Sequence, residues 1–303
     1  MIPCPACDNN AWKEFLVAAD IYQGTAHTIL RCDSCGLAQT GGGEDSISSH
    51  FYRYAGSCHA GERFGYLQGV MGKFRRARSS AVTTPHPGRA LDVGCGDGSF
   101  LEALARQGWQ VFGTELSESI ALTARKRLGD CVRVGAIDQL DFPAASFDLV
   151  TFWHVLEHLE DPKLALVEAR RLLKAGGRLV VALPNIESLQ AWLFGDVWLH
   201  LDVPRHRWHF SPRTLAAVAD RCGLRVERTS HFSLEYGPFA IVQGVATKVG
   251  LGHYLFAHLV RDALAQLVRD IRFWTHVPLV AVSAVPSVLL ELVAASCGRG
   301  GAV

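Results

Sequence analysis

The chain has 303 residues, 49% of them hydrophobic, and a net charge of +1. This length allows one large domain with small additions, and the near-zero charge leaves no electrostatic footprint for nucleic acid or strongly acidic partners. The opening MIPCPACDNN lacks the basic stretch and apolar core of a secretory leader, so a cytoplasmic protein is expected.

Four of the nine cysteines form two CxxC pairs, Cys4-Pro5-Ala6-Cys7 and Cys32-Asp33-Ser34-Cys35. Each pair offers two thiolates from one tight turn, and Gly36 lets the second turn close. The residues between them read as short strands. This is a zinc-ribbon pattern, so Cys4, Cys7, Cys32 and Cys35 are expected to hold a structural Zn2+. Rubredoxin-like iron is the S4 alternative, and chance pairing or disulfides are the bland one. A segment this short buries little core, so the metal would supply folding energy. The other five cysteines are scattered, as in a reducing compartment.

Gly41-Gly42-Gly43 marks a linker, and residues 62–82 read as a helix with Phe64, Leu67, Val70, Met71 and Phe74 on one face. TTPHPG breaks it. Strand and helix then alternate: strand RALDV, helix 99–107, strand 110–115, helix 118–128 capped by Ser117, strand 131–135, strand 147–153, and helix 162–174. A turn at Gly176-Gly177 leads into strand 178–184, and helix 212–222 opens at Ser211-Pro212. This alternation predicts an α/β fold with a doubly wound, mostly parallel sheet, an N-terminal zinc ribbon and an apolar helical C-terminal region. The expected domains are 1–44, 45–238 and 239–303. Ligands of such sheets bind beyond the strand carboxyl ends. The glycine loop, Glu115, Asp138, His154 and Pro184-Asn185 should share one crevice there.

The loop LDVGCGDGSF spaces its glycines as GxGxG at 94, 96 and 98. A dinucleotide fingerprint needs glycine at 99, where Ser stands, and no GK[ST] follows. Asp92, two residues before the first glycine, would repel a pyrophosphate and attract a cation, worth a few kcal/mol at ~4 Å near a surface before desolvation. Glu115, 21 residues after Gly94, can accept two ribose hydroxyls. Asp138 can meet an adenine amino group, although singly it reads as a solvated loop carboxylate.

LDVGCGDGSFL, FGTELS, FDLVTFWHVLEHLEDP, RLLKAGGRLVVALPN and HFSPRTLAAVADRCGL, in this order, resemble the successive motifs of class I S-adenosylmethionine-dependent methyltransferases. The N-terminal cysteines resemble the zinc ribbon of a bacterial subgroup that acts on small molecules. The resemblance implies that Asp92, Gly94, Cys95, Gly96 and Gly98 hold the methionine part of S-adenosyl-L-methionine. Glu115 and Leu116 would hold the ribose, and Ile137 and Asp138 flank the adenine. Trp153 and His154 would close over the cofactor. The family usually ends on a further antiparallel strand. CGRGGAV stops almost at once, so that strand is short or absent.

Two clusters offer acceptor chemistry. WHVLEHLEDP carries His154, Glu157 and His158. The pair Glu157-His158 resembles one in ubiquinone-type O-methyltransferases, where a metal assists; a helix-start brace explains it equally. WLHLDVPRHRWHFSP carries His200, Asp202, Arg205, His206 and His209, interleaved with Trp198, Trp208 and Phe210, and preceded by Trp192 and Phe194. The expected catalytic group is His206 as base, Asp202 orienting it and Arg205 gripping the acceptor, with the aromatics walling a pocket. The bland alternative is a loop stapled to the helix at Ser211. The run 273–290 has no charged residue, and Arg261, Asp262, Arg269, Asp270 and Arg272 punctuate the helix before it. A peripheral membrane patch, a lid and an interface compete as explanations. The expected partner is a small-molecule acceptor, sugar- or lipid-linked, and no nucleic acid. A non-catalytic scaffold docking through its zinc ribbon and a ubiquinone-type O-methyltransferase are the alternatives.

Overall fold

The computed structural model describes residues 3–21, 23–41, 72–82, 86–233, 237–251 and 285–303. The expected linker glycines 42 and 43, the helix before residue 72, residues 83–85 and the run 252–284 lie outside them. The chain divides into two compact units: Met1–Ser48, Pro184–Ala217 and Val226–Val303 in one, Ser49–Leu183 and Val218–Arg225 in the other.

The second unit is built on five parallel strands. They are β4 (Arg89–Val93), β5 (Gln110–Glu115), β6 (Val132–Val134), β7 (Phe147–Trp153) and β8 (Leu173–Ala182), ordered β6-β5-β4-β7-β8. The chain enters at the centre, winds out to β6, then returns to the other side of β4. The switch point therefore falls between β4 and β7, where this architecture leaves its crevice. Helix α1 (Ser99–Arg106) buries Phe100, Leu101 and Leu104, and α2 (Glu118–Leu128) buries Ile120, Ala121 and Ala124. Helix α3 (Pro162–Leu172) starts on Asp161, whose carboxylate accepts from Leu164 N at 2.9 Å, with Pro162 in the first turn.

Two local expectations need correction. Ser117 occupies the N-cap of α2 without capping it: its hydroxyl meets Ser119 Oγ, while its N–H donates to Glu115. Gly176-Gly177 lies within β8 instead of preceding it, with Gly176 at φ +76° beside a register shift in the β7 ladder.

The first unit holds an antiparallel sheet ordered β1-β2-β3-β9. Its strands are β1 (Trp12–Ala19), β2 (Ala26–Cys32), β3 (Ala38–Thr40) and β9 (Trp208–His209). Strand β9 pairs Ala38 with His209 and Gln39 with Trp208, so the loop that follows the parallel sheet completes the cysteine module. Around it lie α4 (Leu189–Phe194), α5 (Pro212–Arg221, its first residues) and α6 (Gly237–Ala246). Ala18, Ile29, Ile186, Phe194, Trp198 and Ile241 pack in its core. Phe194, Trp198, Trp208 and Phe210 are thus buried packing residues, not pocket walls, and Trp192 is 71% exposed.

The chain end forms no sheet strand among the described residues. It clips the segment after β8: Asn185 N donates to Gly301 O at 3.0 Å, Leu189 N to Arg299 O at 2.9 Å, and Pro184 bridges Ala302.

Candidate active site

Within the second unit, the cofactor residues foreseen in the sequence gather at the strand carboxyl ends: the glycine loop after β4, Glu115 closing β5, Ile137 and Asp138 after β6, His154 after β7. Pro184 and Asn185 belong to the first unit. Gly94, Gly96 and Gly98 all take positive φ, +68°, +55° and +75°. A Cβ on Gly94 would stand 2.7 Å from Val155, and one on Gly98 2.8 Å from Leu128. Beside Gly96 nothing among the described residues lies within 4 Å, so the loop is open there.

Asp92 is 3% exposed and pairs in register with Thr151 on β7. The Thr151 hydroxyl donates to Asp92 Oδ1 at 2.6 Å. Burial pushes the Asp92 carboxyl up to about 7, against the opposing pull of the Thr151 bond and the Arg78 charge. A buried carboxylate held at this value gains most from an incoming cation. Asp97 behaves oppositely. Burial works to raise it, but Arg75 at 3.1 Å and two bonds from Ser99 outweigh that and hold it low.

Glu115 accepts from Ser117 N through Oε1 at 3.0 Å and from Gly96 N through Oε2 at 3.1 Å. Each oxygen keeps a second lone-pair direction, enough for two ribose hydroxyls. Trp153 packs edge-on to Phe100, with the Arg78 guanidinium 5.1 Å from its ring. Its Nε1 is buried and has no hydrogen-bond partner among the described residues, an uncommon state that a ligand acceptor would relieve. His154 takes φ +56°, a strained conformation of the kind that clusters at functional sites. The donor set therefore fits S-adenosylmethionine. Cys95 fills the core beside Gly113, which leaves only its backbone for a ligand. Ile137 is likewise buried, whereas Leu116 and Asp138 are exposed.

In the first unit, His206 Nδ1 lies 2.8 Å from the His200 carbonyl oxygen. A carbonyl only accepts, so Nδ1 carries the hydrogen and Nε2 the lone pair. Asp202 Oδ2 stands 3.9 Å from Nε2. That is too long for a hydrogen bond. Arg205 is 5% exposed. Its Nε and Nη2 donate to Asp202 Oδ1 at 2.8 and 2.5 Å, and its Nη1 donates to Asp20 at 3.2 Å. The guanidinium is thus engaged inside the protein. Glu157 is buried, with Oε1 3.5 Å from His154 Nδ1.

The four module cysteines form no disulfides. Cys4 and Cys35 sulfurs lie 3.4 Å apart, Cys7 and Cys32 3.5 Å, and all four within 4.8 Å of one another. Tetrahedral Zn–S bonds of ~2.3 Å set sulfurs roughly 3.8 Å apart. The set fits the ion.

Sequence reading missed Thr151, Asp20, Thr40 and the His200 carbonyl. Thr151 had a signal, a polar residue inside the apolar strand FDLVTFW. Asp20 and Thr40 depend on pairings across more than 160 residues, and the His200 carbonyl on the local fold of its loop.

Residues 65–229 match the family model described as a methyltransferase domain. The ubiquinone biosynthesis O-methyltransferase of Idiomarina loihiensis is 34% identical over 149 residues, 45% of this chain and 61% of that protein. The chain thus spans less than two thirds of that relative. The Thiobacillus denitrificans protein of the same name is 32% identical over 51% of this chain and 71% of its own. A chain from the complex of the Haloferax volcanii Trm112 methyltransferase activator with a methyltransferase aligns at TM-score 0.50 and 20% identity. It covers 69% of this chain and 92% of its own, a likeness of fold.

Proposed function

The chain belongs to the methyltransferase domain family and is a class I S-adenosylmethionine-dependent methyltransferase, and from that premise we propose that it methylates a hydroxyl of a small-molecule acceptor with His206 as general base. The observation that carries this is the His206 tautomer: the His200 carbonyl fixes the proton on Nδ1 and leaves the basic lone pair on Nε2. When bound, S-adenosylmethionine supplies an electrophilic methyl on a sulfonium. Asp92 meets its positive charge, Glu115 takes the ribose hydroxyls, Ile137 and Asp138 flank the adenine, and Trp153 and His154 border the cofactor. His206 Nε2 takes the acceptor proton, and Asp202 offsets the imidazolium charge. Arg205 holds Asp202 in place, a bracing role that suits its buried ion pairs better than contact with the acceptor. A positioned base of this kind contributes roughly 10²–10⁴-fold. The name carried by the relatives supports oxygen as the acceptor atom. The test is labelled-methyl transfer to a panel of phenolic, sugar-linked and prenyl-linked hydroxyl compounds. The reading expects a product 14 Da heavier from at least one class, and cofactor consumption confined to amines would refute it.

Zinc is the ion we assign to Cys4, Cys7, Cys32 and Cys35, as a structural centre. About one equivalent of zinc per chain in metal analysis is expected; a coloured, redox-active protein would mean iron instead.

A second reading concerns lipid. The helix over 285–296 is inside out: Val285, Leu289, Leu292 and Val293 are 67, 58, 46 and 60% exposed, while Ser287 and Glu291 are 1% and 0%. Its first half lies in the charge-free run 273–290. No helix among the described residues is long and apolar enough to cross a membrane. A bilayer surface is the occupant this polarity suits, and it would bring a lipid-linked acceptor within reach.

A further inference from the structure

Strand β3 of the cysteine module ends at Thr40, and three bonds leave that residue for the histidine loop. Its N–H donates to Arg207 O at 2.9 Å, its hydroxyl donates to His206 O at 2.6 Å, and Oγ1 lies 2.9 Å from His209 Nε2. A hydroxyl has one proton. With that proton on the His206 carbonyl, Oγ1 must accept from His209, which fixes His209 with its hydrogen on Nε2. Thr40 and His209 are buried, 7% and 4% exposed, so water does not substitute for these bonds. Two further ties run the same way. Asp20, at the end of β1, receives Arg205 Nη1, and Arg213 Nη2 donates to the Cys35 carbonyl at 2.8 Å.

We propose that Thr40 is a positioning residue for the base, and that the cysteine module is the platform on which the loop 200–209 is registered, with Asp20 as the second anchor. The inference rests on His206 being the base, but its test does not. A metal knuckle standing apart would need neither a strand partner in β9 nor a buried hydroxyl bound to two histidines. The pairing also gives the module a task other than docking a partner: its folding, and any metal that sustains it, sets the backbone that carries His206.

The experiment compares Thr40→Val, Thr40→Ser and Asp20→Asn with the parent protein. Readouts are the imidazole 1H–13C resonances of His206 and His209, hydrogen exchange of the amides in 199–209, cofactor affinity, and zinc content. Thr40→Val should shift both imidazole signals and speed exchange across the loop about tenfold, the equivalent of one lost buried hydrogen bond. Cofactor affinity and metal content should stay at parent values, and Thr40→Ser should restore both signals. Asp20→Asn should speed exchange around Arg205 and leave His209 unmoved, which keeps the proposal testable if the valine variant fails to fold. Parent-like resonances and exchange in Thr40→Val, or no rescue by Ser, would overturn the platform. Full turnover in His206→Ala would overturn the base assignment and leave these readouts to decide the platform on their own.

Discussion

Asp92 is a buried carboxyl whose proposed role is to select a ligand's charge. Its carboxyl is raised in the folded protein above its unfolded value, so in the absence of ligand its ionisation opposes folding: stability from this group declines as pH rises from about 4 through about 7. A cation beside it reverses the preference and lowers the carboxyl again. Binding of S-adenosylmethionine should therefore release a proton near neutrality and tighten as pH rises from 6 to 8, levelling above that. Calorimetry in buffers of different ionisation heat measures both. Asp92→Asn should remove the pH dependence and weaken binding roughly 10–100-fold, as for a lost charge-assisted bond. An unchanged affinity would show that the cofactor's charge is met elsewhere. The sequence already made Asp92 legible, because GxGxG spacing and an acid before it argue against phosphate. It could not show Thr151, since a parallel register is set by the whole sheet.

At the scale of elements, the three glycines of the loop are not equivalent. All need positive φ, which costs a non-glycine residue roughly 1–2 kcal/mol. Gly94→Ala adds a contact of 2.7 Å with Val155, whereas Gly96→Ala meets nothing. Thermal unfolding should therefore show a larger loss for Gly94→Ala. Gly96→Ala should fold and bind cofactor more weakly, as a methyl on the open side of the loop. A second test concerns the chain end. Buried Glu291 accepts from Gln190 Nε2 at 2.5 Å and from Gly301 N at 2.9 Å. Glu291→Leu strands both donors and should cost about 1–3 kcal/mol for each. The strands and helices here followed periodicity and punctuation closely, because apolar runs and glycines act locally. Strand β9 did not, since two residues of strand carry no period and its partner lies about 170 residues earlier in the chain. For the same reason the aromatics around residue 200 read as pocket walls in sequence and are core in the structure.

The whole molecule joins a parallel-sheet unit that carries the residues expected to hold the cofactor and a unit that carries the cysteines, the histidine loop and the chain end. Sequence order hides this arrangement, because residues 184–217 fold with the N-terminal module and not with the strands that precede them. At this scale the inside-out helix yields a direct prediction. The protein should co-sediment with liposomes, and Leu289→Glu with Leu292→Glu should abolish that while leaving cofactor affinity intact. Equal recovery of parent and variant in the supernatant would dismiss the lipid reading.

The role proposed for His206 is removal of the acceptor's proton. The most direct measurement is the pH–rate profile of methyl transfer for the parent protein and His206→Ala, alongside cofactor affinity for each. With His206 as base, the alanine variant should lose turnover roughly 10²–10⁴-fold, lose the acidic limb of kcat/KM, and bind S-adenosylmethionine as the parent does. Turnover at the parent rate with the same pH profile would contradict it.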